Sequence, residues 1–288
     1  MESIRGPFRA DEALARGGIT RGRLAGPTVT RLLPNVHAPA DQVPTTLAER
    51  ARAAVLYVRG TPPVVGGFAA AELLGASCGP RDAPVDLVVG PRRVRPRSGL
   101  VIRQDVLDPD DVVDVEGVLV TSAERTAWDL ARRLRFDDAV VAVDALARVG
   151  RFPPAVLLER PVGRRGCLGL ADVVAGSDPR SASPPETRMR LIMARRDVPP
   201  PIPQYVVFDD GGLFVARVDF GWKEVRVAGE HHRTDRAQWR RDQRRTAELA
   251  ACDWVTVPWT GDDVVAPREF VQRLLATLAH RGLGTRRT

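Results

Sequence analysis

The sequence of 288 residues has few cysteines and no long apolar run, and we expect no targeting segment at its start. Its apolar runs are much shorter than the roughly 20 residues that a membrane-spanning helix needs. The opening residues, MESIRGPFRADEAL, lack the apolar core and cleavage site of a signal peptide. Cys78, Cys167 and Cys252 are odd in number and widely spaced, which fits free thiols better than a disulfide or zinc framework. We therefore expect a cytoplasmic protein without a membrane partner.

Lysine is almost absent, because Lys223 is the only lysine among 43 basic residues. The formal net charge is +7 and the isoelectric point is near 10.4, which favours a polyanionic partner such as DNA. A GC-rich genome also favours arginine codons, so the number of arginines alone says nothing about phosphate binding. Only the positions of the arginines along the chain can indicate phosphate binding.

Residues 1–45 are predicted to form a winged helix-turn-helix-like unit. A short helix starting at Phe8 stops at a Gly-Gly turn, and Thr20 is a plausible N-cap for a second helix carrying Arg21 and Arg23. Residues 28–33 are expected to start another helical turn, and 36–38 to form a wing strand. This layout predicts DNA contacts from Arg21 and Arg23. A generic three-helix cap is the alternative.

Residues 46–176 are predicted to form an α/β middle domain. A helix over 46–59 precedes short β-branched runs at 85–89 and 117–121, which are typical of buried strands. The residues at 121–124, TSAE, then cap a helix that runs to about residue 133. The composition of 177–185, SDPRSASPP, is typical of a linker, so we place the main domain boundary there.

Residues 181–288 are predicted to form a third unit with the element order α-β-β-β-α-β-α. The chain as a whole is therefore expected to be α+β. Within this unit, Asp219 lies on an apolar strand, Glu230-His231-His232 ends the next strand, and an arginine-rich helix follows. Carboxylates, imidazoles and a cationic helix in this order are the parts of a metal-dependent nuclease, in which the ion activates water and arginines hold the phosphate backbone.

Each of these side chains also has a simpler interpretation. Asp219 could lie on the solvated face of an edge strand, and Glu186 is explained by the favourable position of an acid at a helix start. The arginine helix could be a solvated helix with salt bridges along one face, which is the commonest meaning of such a pattern. Four arginines of this segment recur three or four residues apart, which places them on one face of the helix: Arg233, Arg236, Arg240 and Arg244.

Two parts of the sequence resemble known families. The motifs of the C-terminal part are SPPE at 183–186, PIPQYV at 201–206, ARVDFGW at 216–222, GEHHRTD at 229–235 and QWRRDQRR at 238–245. With these motifs, residues 181–280 resemble the uncharacterised family related to very short patch repair endonucleases, which has a restriction-endonuclease-like fold. Residues 5–150 resemble AbiEi-type antitoxins of type IV toxin–antitoxin systems, through GITRGRL at 18–24, LPNV at 33–36 and VTSAERTAWDL at 120–130.

The endonuclease resemblance implies a catalytic set. Asp219 and Glu230 would bind Mg²⁺ or Mn²⁺, Glu186 would complete the shell, and His232 would polarise water or the scissile phosphate. The family's third strand normally carries an acidic residue before the histidine pair, and here the chain is about four residues short at that point. Either Glu230 replaces the missing acid, or the second metal-binding acid is absent.

Two functional hypotheses follow. The first is a nucleic-acid-binding protein with a Mg²⁺-dependent, degenerate endonuclease-like domain. The alternative is a DNA-binding transcriptional regulator or antitoxin, with a toxin protein as its partner and a catalytically inactive C-terminal domain, which needs no cofactor.

Overall fold

The computed structural model describes residues 4–160, 166–232 and 236–283, with the backbone alone for 236–242. Helices and strands alternate along the chain, and within these residues the strands form three separate sheets. The predicted α+β class is confirmed. No helix in the described ranges has the length and apolar character that spanning a membrane demands.

The first sheet belongs to a small N-terminal module, in which β3 lies between β1 and β2 and both pairings are antiparallel. The hydroxyl of Thr20 accepts a hydrogen bond from the backbone N–H of Arg23 at 3.3 Å, so the predicted N-cap is confirmed. The expected helical turn over 28–33 is wrong, because its β-branched and leucine residues pair with β3 instead. The elements are β1 (Phe8–Arg9), α1 (Ala10–Ala15), α2 (Arg21–Leu24), β2 (Val29–Leu33) and β3 (Val36–Pro39).

The second sheet has five strands in the order β6-β5-β4-β8-β7 and mixes parallel with antiparallel pairs. Helices α5 and α6 pack together in an apolar cluster that includes Trp128, Val143, Leu146 and Leu157. The elements are α3 (Leu47–Val55), β4 (Val64–Gly66), α4 (Gly67–Leu73), β5 (Val85–Val88), β6 (Leu100–Arg103), β7 (Val112–Val115), β8 (Val118–Thr121), α5 (Ala123–Ala131), α6 (Phe136–Gly150) and α7 (Leu170–Gly176).

A buried arginine joins the start of α5 to the loops before β7. Arg125 is only 3% exposed, and its guanidinium donates to Asp105 at 2.5 Å, Asp111 at 2.7 Å and Asp129 at 3.0 Å. The guanidinium also lies 5.3 Å from the ring centroid of Trp128. Three charge-assisted hydrogen bonds from one planar fork are needed to offset the desolvation of an arginine at this depth.

The third sheet has the order β12-β11-β10-β9, with β11 and β12 parallel and the other pairs antiparallel. The elements follow the predicted order, with the short helix α10 added before the last helix. Phe220, Trp222 and Trp259 pack with helices α8 and α11 on one side of the sheet. The elements are α8 (Pro184–Ala194), β9 (Ile202–Phe208), β10 (Phe214–Trp222), β11 (Val227–His231), α9 (Arg236–Ala251), β12 (Val255–Trp259), α10 (Gly261–Val265) and α11 (Arg268–His280).

The segment between α7 and α8 is held by hydrogen bonds on both sides. Arg190 donates to the carbonyl of Gly176 at 2.8 Å and to Asp144 on α6 at 2.7 Å, and Thr187 donates to the same carboxylate at 2.9 Å. Ser181, inside the segment, is 2% exposed. The domain boundaries expected from the sequence, at 1–45, 46–176 and 181–288, stay predictions, and the linker-like segment is anchored rather than free.

Replacing Arg125 by methionine is expected to destabilise the protein by about 3 kcal/mol, because three aspartates each lose a charge-assisted hydrogen bond. The other ion pairs of these aspartates, Arg160 with Asp111 and Arg132 and Arg133 with Asp129, remain and hold the effect at the lower end of the range for a broken buried pair. Urea unfolding followed by circular dichroism measures the difference. Arg148→Met is the matched control, because Arg148 is exposed on α6, and its effect should stay within about 0.5 kcal/mol. Equal free energies of unfolding for the two variants would show that the Arg125 network is dispensable.

Candidate functional site

Asp219 lies near the end of β10, between Val218 and Phe220, which are both fully buried. Its Oδ2 atom accepts a hydrogen bond from the backbone N–H of His231 at 2.7 Å. Strands β10 and β11 pair antiparallel with Phe220 opposite Gly229, so Asp219 lies across from Glu230 in this register. The apolar strand predicted around Asp219 is present, and it brings the two acids to neighbouring positions on adjacent strands.

Glu186 lies in the first turn of α8 and is buried. Its Oε1 accepts from the Ser183 hydroxyl at 2.7 Å, and its Oε2 accepts from the backbone N–H of Ala182 at 2.8 Å and from the Gln204 side-chain amide at 2.8 Å. The same amide nitrogen lies 3.5 Å from Oδ1 of Asp219. Gln204 therefore connects the carboxylates of Glu186 and Asp219.

Gln204 was given no role by the sequence analysis, although it belongs to a motif that supported the endonuclease resemblance. Its backbone has φ of 52°, in the left-handed region that non-glycine residues seldom adopt. Its backbone conformation is thus an uncommon one at the position where its amide reaches both acids.

Burial and, after it, the nearby negative charge of Glu186 raise the pKa of Asp219 from 3.8 to about 6. The N–H of His231, the positive charge of Arg245 and the amide of Gln204 act in the opposite direction but do not cancel the effect. At neutral pH the folded protein therefore holds a carboxylate in surroundings that disfavour its charge. Such a cost to stability is more typical of a functional site than of a structural one.

Glu230 is 7% exposed, and its charge is compensated by Arg245 on α9. The guanidinium of Arg245 donates to Oε1 of Glu230 at 2.8 Å and also to the backbone carbonyl of Arg217 on β10. Arg245 was not among the predicted site residues. Its place at the end of the QWRRDQRR motif was the available signal, but only the packing of α9 against β10 reveals its partner.

The two histidines at the end of β11 have different surroundings. The ring of His231 lies 4.3 Å from that of Trp259, and the backbone N–H of His232 donates to the Trp259 carbonyl at 2.7 Å. Within the described residues, the His232 imidazole makes no hydrogen bond to Glu186, Asp219 or Glu230. The catalytic role expected for His232 stays a prediction.

The predicted nucleic-acid contacts fall into three groups. Arg21 and Arg23 on α2 are exposed, and no ion pair involves either of them in the described part of the chain. Arg244 is paired with Glu248 at 2.8 Å, as the simpler interpretation of the arginine helix expected. Arg233 and the side chains of Arg236 and Arg240 lie outside the described residues.

As arranged, the acids do not fit a divalent cation. Among the residues that the structure describes, no three His, Cys, Asp or Glu side chains form a group able to hold a metal ion. Both oxygens of Glu186 accept from protein donors, and Arg245 compensates Glu230. Mg²⁺ needs several oxygen ligands in near-octahedral geometry. Ligation by Asp219 and Glu230 therefore stays a prediction that would require Arg245 to move.

Parts of the chain match known protein sequences. Residues 33–170 match the family model described as AbiEi antitoxin C-terminal domain. Two proteins of Mycobacterium tuberculosis, Uncharacterized protein MT2308 and Uncharacterized protein Rv2248, are each 34% identical over 196 residues. These alignments cover 65% of this chain and 69% of each relative. No solved structure matches the chain significantly.

Asp219→Asn is expected to stabilise the protein at neutral pH. An acid whose pKa is raised on folding costs stability above that pKa, and the cost disappears as pH falls from about 6 to about 4, because the folded state then holds the proton more tightly. The amide can still accept from the N–H of His231. The gain should reach at most about 3 kcal/mol at pH 7 and vanish near pH 4.

Thermal unfolding across this pH range measures the gain. Asp210→Asn, at the exposed hairpin turn, is the matched control and should change stability little at any pH. A loss of stability at pH 7 in Asp219→Asn would contradict the view that the charge of Asp219 is disfavoured.

Proposed function

This chain belongs to the family of the M. tuberculosis proteins MT2308 and Rv2248, and because its residues 33–170 match the AbiEi antitoxin C-terminal domain, we propose that it is a DNA-binding regulator of the antitoxin class. The match at 33–170 is the observation that carries the proposal. An antitoxin implies a toxin protein as its functional partner. DNA binding would come from the N-terminal module, whose helices α1 and α2 precede the matched region.

The geometry of the N-terminal module supports this role. Strand β1 leads into α1, a turn at 16–20 and α2, and the β2–β3 hairpin then returns to pair with β1. In a winged helix-turn-helix the second helix of the pair lies in the major groove and the hairpin contacts the backbone. Here α2 has only four residues, Arg21–Leu24, so few side chains would reach base edges. Phosphate contacts should dominate, with weak sequence preference.

The charges of the module support the same role. Arg16, Arg21, Arg23 and Arg31 are exposed, and within the described residues none of them forms a salt bridge. Arg9, in contrast, pairs with Glu12 at 3.0 Å. These arginines on and beside α2 are available to neutralise phosphates, so their placement supports DNA binding where their number alone did not.

The module is also fixed to the middle region. The carboxylate of Asp11 accepts from the Asn35 side chain at 2.7 Å and from Arg59 just beyond α3, and Arg9 donates to the carbonyl of Leu56 at 3.3 Å. Through Arg9 and Asp11, these contacts join the start of the module to the α3 segment. A rigid connection would let the antitoxin domain set the orientation of α2 on DNA.

For the C-terminal region, we propose a catalytically inactive platform. The pairing of Glu230 with Arg245 supports this reading over a Mg²⁺-dependent endonuclease, because a cation already compensates the acid that would bind the metal. Endonuclease activity would need a rearrangement of α9 that releases Glu230 from its ion pair with Arg245.

The double variant Arg21→Ala/Arg23→Ala is expected to weaken binding to short duplex DNA, because two phosphate contacts are lost. Fluorescence anisotropy at increasing salt should show the slope of log K against log salt falling by about 1.8. Arg148→Ala/Arg268→Ala removes the same charge from two exposed positions and should leave the slope unchanged. The proposal fails if the parent protein does not bind duplex DNA, or if both double variants behave alike.

Supercoiled plasmid incubated with the purified protein and Mg²⁺ or Mn²⁺ is expected to stay intact, because the carboxylate of Glu230 is already paired with the guanidinium of Arg245. Agarose gel electrophoresis detects nicking. Nicking that stops with chelator and in Asp219→Asn, but persists in Asp210→Asn, would establish the endonuclease instead.

A further inference from the structure

The hairpin between β9 and β10 presents three large apolar side chains to solvent. Phe208, Leu213 and Phe214 are 57%, 70% and 65% exposed, and Phe208 pairs directly with Phe214 across the hairpin. Directly opposed residues in an antiparallel pair point to the same face, about 5 Å apart at Cβ. The two phenyl side chains therefore project from the same exposed face of the hairpin.

The turn that presents these rings is well ordered by its own hydrogen bonds. The carboxylate of Asp209 accepts from the backbone N–H of Gly211 at 2.9 Å and of Leu213 at 2.8 Å. An Asp side chain bonded to backbone N–H groups two and four residues on stabilises a tight turn. The rings are thus held outward by a defined turn.

A groove runs beside this hairpin toward α9. It has a volume of about 560 Å³ and is lined by residues 214–217 of β10 and by Arg244, Arg245 and Glu248 of α9. That volume lies within the range of about 300–1,000 Å³ for small-ligand sites. Phe214 forms part of its wall, so an exposed aromatic ring and the groove are continuous.

The groove is cationic. Its described lining residues include three arginines, Arg217, Arg244 and Arg245, and one acid, Glu248. Arg217 is exposed and takes part in no salt bridge in the described ranges, while Arg244 is 83% exposed and forms a solvent-exposed ion pair with Glu248. Arg245 reaches from the groove to Glu230. A ligand that fits this groove should itself have a negatively charged group close to a flat apolar face.

We propose that this groove binds single-stranded nucleic acid, with a base stacked on Phe214 and the backbone phosphates on Arg217 and Arg244. Sites for single strands combine a positive groove with aromatic rings, because every base offers a flat face for stacking. A duplex hides those faces, and an acidic peptide would satisfy the arginines without covering the rings. The site is separate from the duplex contacts of Arg21 and Arg23 and does not depend on them.

The test uses the full chain and a labelled single-stranded oligothymidine, with anisotropy as the readout. Phe214→Ala should weaken binding roughly five- to hundredfold through the loss of one stacked base. Arg217→Ala should lower the slope of log K against log salt by about 0.7. Matched controls are Leu168→Ala, an exposed apolar side chain of the middle region, and Arg268→Ala on α11, and both should bind like the parent.

The variants alter exposed side chains, and unchanged circular dichroism spectra will confirm that they fold. The Arg21→Ala/Arg23→Ala protein should keep its affinity for the oligothymidine while losing duplex binding, which separates this site from the N-terminal module. Failure of the parent to bind the oligothymidine would overturn the inference. So would equal binding by Phe214→Ala and Leu168→Ala, or displacement of the strand by polyglutamate as effectively as by unlabelled oligothymidine.

Discussion

A buried guanidinium is the constraint on which the middle of the molecule depends. Arg125 must satisfy its donors where water cannot reach, and it does so by drawing Asp105, Asp111 and Asp129 around one planar fork. This fixes the approach to β7 against the first turns of α5. Helix α6 packs on α5, and its Asp144 in turn accepts from Thr187 and Arg190 of α8. Buried charge pairs therefore extend from the middle sheet into the C-terminal region.

The sequence predicted local features well. The N-cap at Thr20 and the order of the C-terminal elements could be read from short stretches, because capping and alternation depend on neighbouring residues. The expected helical turn at 28–33 was wrong, because pairing with the adjacent strand β3 decides that conformation and residues 28–33 taken alone do not reveal the pairing. The role of Arg125 could not be predicted, because two of its three acidic partners lie 14 and 20 residues away.

The same division applies to the candidate site. The apolar strand around Asp219 was predictable, as was the early position of Glu186 in its helix. Two residues that decide the electrostatics, Gln204 and Arg245, were not, because each meets its acid only through the packing of separate elements. For that reason the sequence favoured a metal-binding pair, whereas the structure has an amide joining two acids and an arginine compensating the third.

The anchoring of α8 on Asp144 has a thermodynamic consequence for how the two halves of the chain associate. Burial raises the pKa of this carboxyl to about 6, although Arg190, Thr187 and the N–H of Asp178 oppose the effect. In the unfolded chain the same carboxyl is solvated and releases its proton near its ordinary value of 3.8. Formation of this junction on folding is then coupled to proton uptake between about pH 4 and pH 6, so mild acidity removes a cost that the junction carries at neutral pH.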